Sequence, residues 1–226
     1  MDDAQKVLRN GGSAEVPWAS YRGAEPVTTG KFAGAAMFPP ASAGYWTHRL
    51  GNAGLDVSGF SLSLHVRTDV NDQSFDKDFI SLGSGNGKLF LLMKNHEASV
   101  SLVNFGGLGG VESDDVVGSK TINDGQWHHL GVVSDGEFIS LFIDGAFQGK
   151  AAYTGEGKIS CMQLASRFGN ARHAMHCSLD DVALYDGPLW PSQIQWLSEH
   201  VAVDEPPAEM RVGAVLSFGG LSIVLP

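Results

Sequence analysis

Short runs of alternating apolar and polar residues, separated by glycine, aspartate and asparagine, recur along most of the 226-residue chain. Helical periodicity is scarce, so the pattern predicts an antiparallel all-β domain. Phe60-Ser61-Leu62-Ser63-Leu64-His65-Val66 alternates as a strand with one buried face does. Phe79 to Leu82 and Lys88 to Met93 read as a hairpin joined by Gly83-Ser84-Gly85-Asn86-Gly87. No helix follows that Gly-x-Gly-x-Gly stretch, so it is a turn and not a phosphate cradle. Ala98 to Val103 forms a further strand, and Gly106-Gly107-Leu108-Gly109-Gly110 a loop before Val111 to Val117.

The most regular stretch runs from Asp124 to Gly149. Asp124-Gly125, Asp135-Gly136 and Asp144-Gly145 punctuate strands at Trp127 to Ser134 and Phe138 to Ile143. Asp-Gly accepts the positive φ angles of tight hairpin turns, which predicts consecutive hairpins. Ile139, Leu141 and Ile143 share a core face, while Trp127, His129, Gly131 and Val133 share a face on the neighbouring strand. Adjacent strand residues point to opposite faces, so His128 and His129 are expected as one packed and one exposed histidine, not a ligand pair. Near the end, Trp190-Pro191-Ser192-Gln193-Ile194-Gln195-Trp196-Leu197 reads as a short helix with proline in its first turn. Asp204-Glu205-Pro206-Pro207 then forms a polar break before an apolar tail, Val212 to Pro226. The tail is too short to span a bilayer comfortably. It reads either as a sorting-type tail or as a final edge strand, and membrane association is expected only through it.

Composition sharpens this picture in two ways. The 29 glycines fit a many-turned β-protein, since they follow no collagen period. The net charge of −10 would repel a phosphate backbone, so nucleic acid is not an expected partner. That acidity suits calcium or neutral polar ligands, or serves solubility alone. The first residues contain no apolar stretch resembling a signal peptide.

Three separated stretches resemble a known family. Asp124-Gly125-Gln126-Trp127-His128-His129-Leu130 with Ser134-Asp135-Gly136 and Leu141-Phe142-Ile143-Asp144-Gly145 resembles the central hairpins of laminin G-like, concanavalin A-like jelly rolls. Leu179-Asp180-Asp181-Val182-Ala183-Leu184-Tyr185-Asp186 with Gln193-Ile194 is similar to that family's last strand and following helical turn. Gly30 to Phe38 is similar to its early strand. The resemblance implies an antiparallel two-sheet β-sandwich with a short C-terminal helical turn. It divides the chain into an N-terminal arm or first edge strand over 1–29, the laminin G-like domain over 30–200, and the break and tail over 201–226.

The family spreads many functions over one scaffold. The expected function is a non-catalytic carbohydrate-binding or adhesion module of an extracellular or cell-surface protein, its partner a glycan or an extracellular protein. A structural or protein-interaction domain is the bland alternative. The glucanase branch carries two glutamates flanking an aspartate on one strand, and the nearest approach here is Glu112-Ser113-Asp114-Asp115. Glu112 and Asp114 are therefore the alternative catalytic pair, two residues apart at ~3.3 Å rise per residue and within reach of the ~5 Å spacing of a retaining hydrolase.

The resemblance also implies calcium, with Asp180 as a ligand at the back of the sandwich and Asp114, Asp115 and Asn170 as rim donors. Asp180 has structural alternatives, capping a turn or pairing with Arg172. Relatives often carry a disulfide near the position of Cys161 and Cys177, the only two cysteines. Two reduced core thiols, or a zinc set with His173 and His176, are the other readings. Tyr45, Trp46 and His48 form the candidate sugar-stacking group.

Overall fold

The computed structural model describes residues 18–32, 34–39, 45–49, 55–71, 75–84, 87–94, 98–105, 116–153, 157–168, 170–200, 215–218 and 221–224. In chain order the strands begin with β1 (Trp18–Arg22), β2 (Glu25–Val27), β3 (Ala35–Phe38), β4 (Tyr45–Arg49), β5 (Leu55–Asp56) and β6 (Phe60–Arg67). Then come β7 (Lys77–Ser84), β8 (Gly87–Met93), β9 (Ser101–Phe105) and β10 (Val116–Val117). β11 (Trp127–Ser134), β12 (Phe138–Ile143), β13 (Ala146–Ala152), β14 (Lys158–Ile159), β15 (Cys161–Leu164) and β16 (Cys177–Asp186) follow. Helix α1 (Pro191–Leu197) precedes β17 (Val215–Phe218) and β18 (Leu221–Val224).

Two sheets face each other. One has seven strands in the order β1-β4-β15-β7-β8-β9-β10. The other has nine, built along β13-β12-β11-β6-β16-β17-β18, with β3 also paired to β16 and β2 to β3. The pairing within both is antiparallel apart from a short parallel contact of β16 with β18. Leu62, Leu64, Leu130, Val132, Leu141, Leu179 and Leu184 of the nine-stranded sheet meet Ile80, Leu82, Leu89, Leu91, Leu102 and Met162 of the other in one continuous core. The predicted hairpins are present: β7 and β8 pair down to Ser84 opposite Gly87, and β11 and β12 pair from Leu130–Ile143 to Ser134–Ile139. Asp144 and Gly145 both have positive φ, 50° and 74°, as the Asp-Gly turn requires.

The outer face of the nine-stranded sheet departs from expectation. Phe60 to Val66 is buried on both faces, not one. Helix α1 supplies the cover at one end, where Leu189, Ile194 and Leu197 pack with Val133, Phe142, Ala183 and Tyr185 in a second apolar cluster. Gly131 permits this approach, because a Cβ there would lie 3.0 Å from an Ile194 methyl. Ser61, polar in the sequence, is buried because its hydroxyl donates to the Gly187 carbonyl at 2.9 Å and accepts the Leu189 N–H at 2.8 Å. It thereby ties the link into α1 to the sheet.

The cysteines correct another expectation. Neither Cys161 nor Cys177 is in a disulfide. Cys161 alternates with the core residues Met162 and Leu164, so it projects from the outer face of the seven-stranded sheet. Cys177 belongs to the opposite sheet and points into the core. With the two side chains on opposite sides of one sheet, no bridge joins them. The zinc set fails for the same reason, and no cluster of three or more metal-binding side chains occurs among the described residues.

Candidate ligand site

Antiparallel register arranges the outer face of the nine-stranded sheet in cross-strand rows. The row nearest α1 joins Val133, Ser61 and Tyr185, and the next joins Gly131, Ser63 and Ala183. A polar row follows: His129 opposite His65, and His65 opposite Asp180. The last row runs Trp127, Arg67, Ser178 and Met37 across β11, β6, β16 and β3. Cover ends between these last two rows, and there the molecule has an open cavity.

The polar row lies beneath a strap formed by the chain after β2. Both Lys31 and Phe32 donate their backbone N–H to Asp180 Oδ2, at 2.8 and 3.2 Å, and Asp181 donates its own to Oδ1 at 2.9 Å. The Phe32 ring stands edge-on to His65, 4.9 Å between centroids. Burial raises the Asp180 carboxyl pKa, against the lowering effect of these three N–H donors. His65 Nε2 meets the Ser198 carbonyl at 3.2 Å, and His129 Nε2 meets the Ser63 hydroxyl at 2.9 Å. Burial pushes His65 down to about 4, with Lys31 adding to the effect and the Ser198 carbonyl and Asp144 opposing it. His129 is held well below its ordinary value, again mainly by burial and then by its neighbour His65.

The cavity beyond has a volume of about 270 Å³. It is lined by Val27 of β2, Thr29 of the strap and Met37 of β3, by Arg67, Thr68, Asp69 and Gly125, and by His176, Cys177 and Ser178. Arg67 Nε donates to the Gly125 carbonyl at 2.9 Å, which fixes the plane of the guanidinium. Its terminal nitrogens have no acceptor among the described residues. The Asp69 carboxylate, the His176 ring and the Thr29 and Ser178 hydroxyls are likewise without hydrogen-bonded partners there. The Thr68 hydroxyl is engaged, donating to the His176 carbonyl at 2.8 Å and accepting the Val70 N–H. This is a small concave site with an apolar side and several unspent polar groups, the composition of a ligand pocket.

The residues singled out in the sequence lie elsewhere. Asp180 takes the turn-capping role. Calcium is ligated by a shell of oxygens, whereas three N–H groups surround this carboxylate with the positive ends of their dipoles, so the donors at Asp180 do not fit that ion. The Arg172 alternative is also unmet, since Asp180 spends its oxygens on the backbone. Asn170 is exposed, and its side-chain oxygen accepts the Arg172 N–H at 3.2 Å. Glu112, Asp114 and Asp115 fall outside the described residues. Tyr45 is half-buried on β4, which has strands on both sides. Trp46 and His48 pair through their backbones with Leu164 and Met162, and their side chains lie outside the description.

Two other polar clusters are structural. His128 and His129 are both buried, contrary to the one-exposed expectation. His128 lies between carboxylates, Nδ1 at 2.9 Å from Asp144 and Nε2 at 3.1 Å from Asp124. His128 thereby ties the Asp124-Gly125 turn before β11 to the Asp144-Gly145 turn after β12, and Asp144 also receives the His129 N–H and pairs with Lys120. On the seven-stranded sheet, the fully buried Asp78 is held by a two-point contact from Arg167, 2.9 and 3.0 Å, and the guanidinium stacks 4.4 Å over Phe90. In each cluster the buried central group, His128 or Asp78, has both of its polar atoms engaged from within the protein.

The family description of the concanavalin A-like lectin/glucanases superfamily, in its laminin G form, matches residues 41–195. The chain belongs to this superfamily. Solved structures agree on the fold of this superfamily member. The binding domain of Paraclostridial Mosquitocidal Protein 1 aligns with a TM-score of 0.65 and 15% identity over 85% of this chain. The chain spans about half of that domain, 51%. Domain 4 of a GH43 extracellular arabinanase from Geobacillus stearothermophilus, solved with arabinotriose, gives 0.53 and 20% identity over 82% of each chain. A heptameric SAP-like pentraxin from Limulus polyphemus gives 0.52 and 13% identity, covering 80% of this chain and 95% of its own. No curated protein matches this superfamily member by sequence.

Proposed function

We propose that the domain is a non-catalytic carbohydrate-binding or adhesion module of an extracellular or cell-surface protein, and that the Arg67 cavity receives the ligand. The observation that carries this reading is the set of unspent polar groups around one cavity, those of Arg67, Asp69, His176, Thr29 and Ser178. Among the described lining residues only Asp69 is a carboxylate, while glycoside hydrolysis ordinarily needs two flanking the bond. That favours binding over cleavage at this site. Support also comes from like folds: one is a binding domain, and another was solved with arabinotriose bound.

A glycan array combined with a reducing-sugar assay tests the reading. Retention of a glycan without release of reducing ends is the expected outcome. Release of reducing ends would instead support a hydrolase of the same fold acting through Glu112 and Asp114. Retention of nothing would leave a structural or protein-interaction domain.

A further inference from the structure

We infer that the Arg67 cavity recognises one uncharged sugar ring, with neighbouring hydroxyls bridging Arg67 and Asp69. This rests on the carbohydrate-binding reading and adds the class of sugar and the way it is held.

Complementarity of charge is the first argument. Arg67 brings only donors and Asp69 only acceptors, and the two, two residues apart in sequence, both line the cavity. A hydroxyl is both donor and acceptor, so a pair of hydroxyls satisfies both groups at once. An anionic ligand would meet Asp69 and the field of a chain carrying a net charge of −10. A cationic ligand would meet Arg67. A wholly apolar one would strip water from both charges and return no hydrogen bond, a costly exchange.

Size and surface are the second argument. At about 270 Å³ the cavity lies just under the roughly 300–1,000 Å³ typical of drug-sized ligands, which suits a single ring and not a buried chain of several. Val27 and Met37 offer apolar contact to the C–H face of a ring. Thr29, Ser178 and His176 add groups able to donate or accept, as a ring carrying further hydroxyls needs. The cavity is open to solvent, so the rest of a glycan continues outside it while one ring occupies the site.

The test is titration calorimetry of the whole chain with neutral arabinan, xylan and β-glucan fragments and with acidic polygalacturonate fragments. Arg67→Met and Asp69→Asn are measured beside the unaltered protein. Asp69 is exposed and its carboxylate holds no other described group, so Asp69→Asn should keep the melting temperature and still decides the matter if Arg67→Met folds poorly. The expected result is binding of a neutral fragment that each variant weakens about tenfold or more, as loss of a charge-assisted hydrogen bond does. Neutral-fragment binding that both variants retain would overturn the assignment of this cavity while leaving the carbohydrate-binding reading intact. Preference for polygalacturonate would overturn the uncharged class. Binding of no fragment by the unaltered protein would overturn this inference, while the glycan array decides the carbohydrate-binding reading separately.

Discussion

His65 and His129 carry the most pronounced histidine chemistry in the structure, although neither lines the cavity. Each ring uses Nε2 in a hydrogen bond, and each Nδ1 is buried without a partner. The centroids are 5.0 Å apart. Charging either ring would place an imidazolium against its neighbour in a site that water does not reach. The unfolded chain takes up His65's proton near the ordinary value of 6.5, whereas the folded protein resists until about 4. Stability from this group is therefore complete above 6.5 and is lost as pH falls toward 4, by on the order of 3 kcal/mol across that window. Asp180, whose pKa is raised, acts in the opposite sense, because its folded form keeps a proton to higher pH than the unfolded chain does. Thermal melts from neutral pH to pH 4 should show a steep decline that His65→Gln makes shallower, even if the variant is less stable at pH 7. An unchanged slope would refute the assignment to His65. At this scale the sequence was only partly legible: it shows two adjacent histidines on opposite faces but not what covers each face.

Among the elements, β6 and α1 best show what pattern does and does not reveal. The alternation of Phe60 to Val66 identifies the strand and its core side correctly. It also marks Ser61, Ser63 and His65 as polar positions, which a single sequence reads as solvent-facing. They are buried because α1 and the strap come from sequence far away, and neither signals its docking place locally. Arg67, continuing the same alternation, is the position where cover stops, and no local feature separates it from the other three. Helix α1 has only seven residues and depends on tertiary contacts, as short helices do. Ile194 is fully buried between Gly131 and the second cluster. Ile194→Ala should therefore cost about 2–5 kcal/mol in denaturant unfolding. A loss below 1 kcal/mol would show that the helix is not held through this side chain.

For the molecule as a whole, the antiparallel all-β class was legible because Asp-Gly turns and period-two runs repeat across so much of the chain. The two-sheet architecture was legible through the resemblance of those hairpins to laminin G-like jelly rolls. The site was not, because its residues come from five stretches, around positions 28, 37, 68, 125 and 177, that only sheet order brings together. The aromatic and acidic residues that stand out in the sequence draw attention elsewhere. Cys161 and Cys177 teach the same lesson: sixteen residues separate them, yet one side chain enters the core and the other leaves it.

The strap also bears on how the protein assembles and breathes. Its anchor joins Lys31 to Asp180 across 149 residues of chain, and the acceptor strand β16 forms late in the sequence. A contact of such range has to wait for most of the sandwich, so one wall of the cavity is expected to be among the last parts to settle in folding. Being held by two N–H bonds and one ring contact, it is also expected to detach well before the sheets unfold. Hydrogen exchange should find the Lys31 and Phe32 amides opening faster than those of β6, and slowing when the cavity is filled. Equal protection without ligand would mean that the strap moves only with the whole domain. If the difference is found, occupancy of the cavity is linked to closure of its wall, and part of the binding free energy is spent on holding shut a segment that otherwise opens by itself.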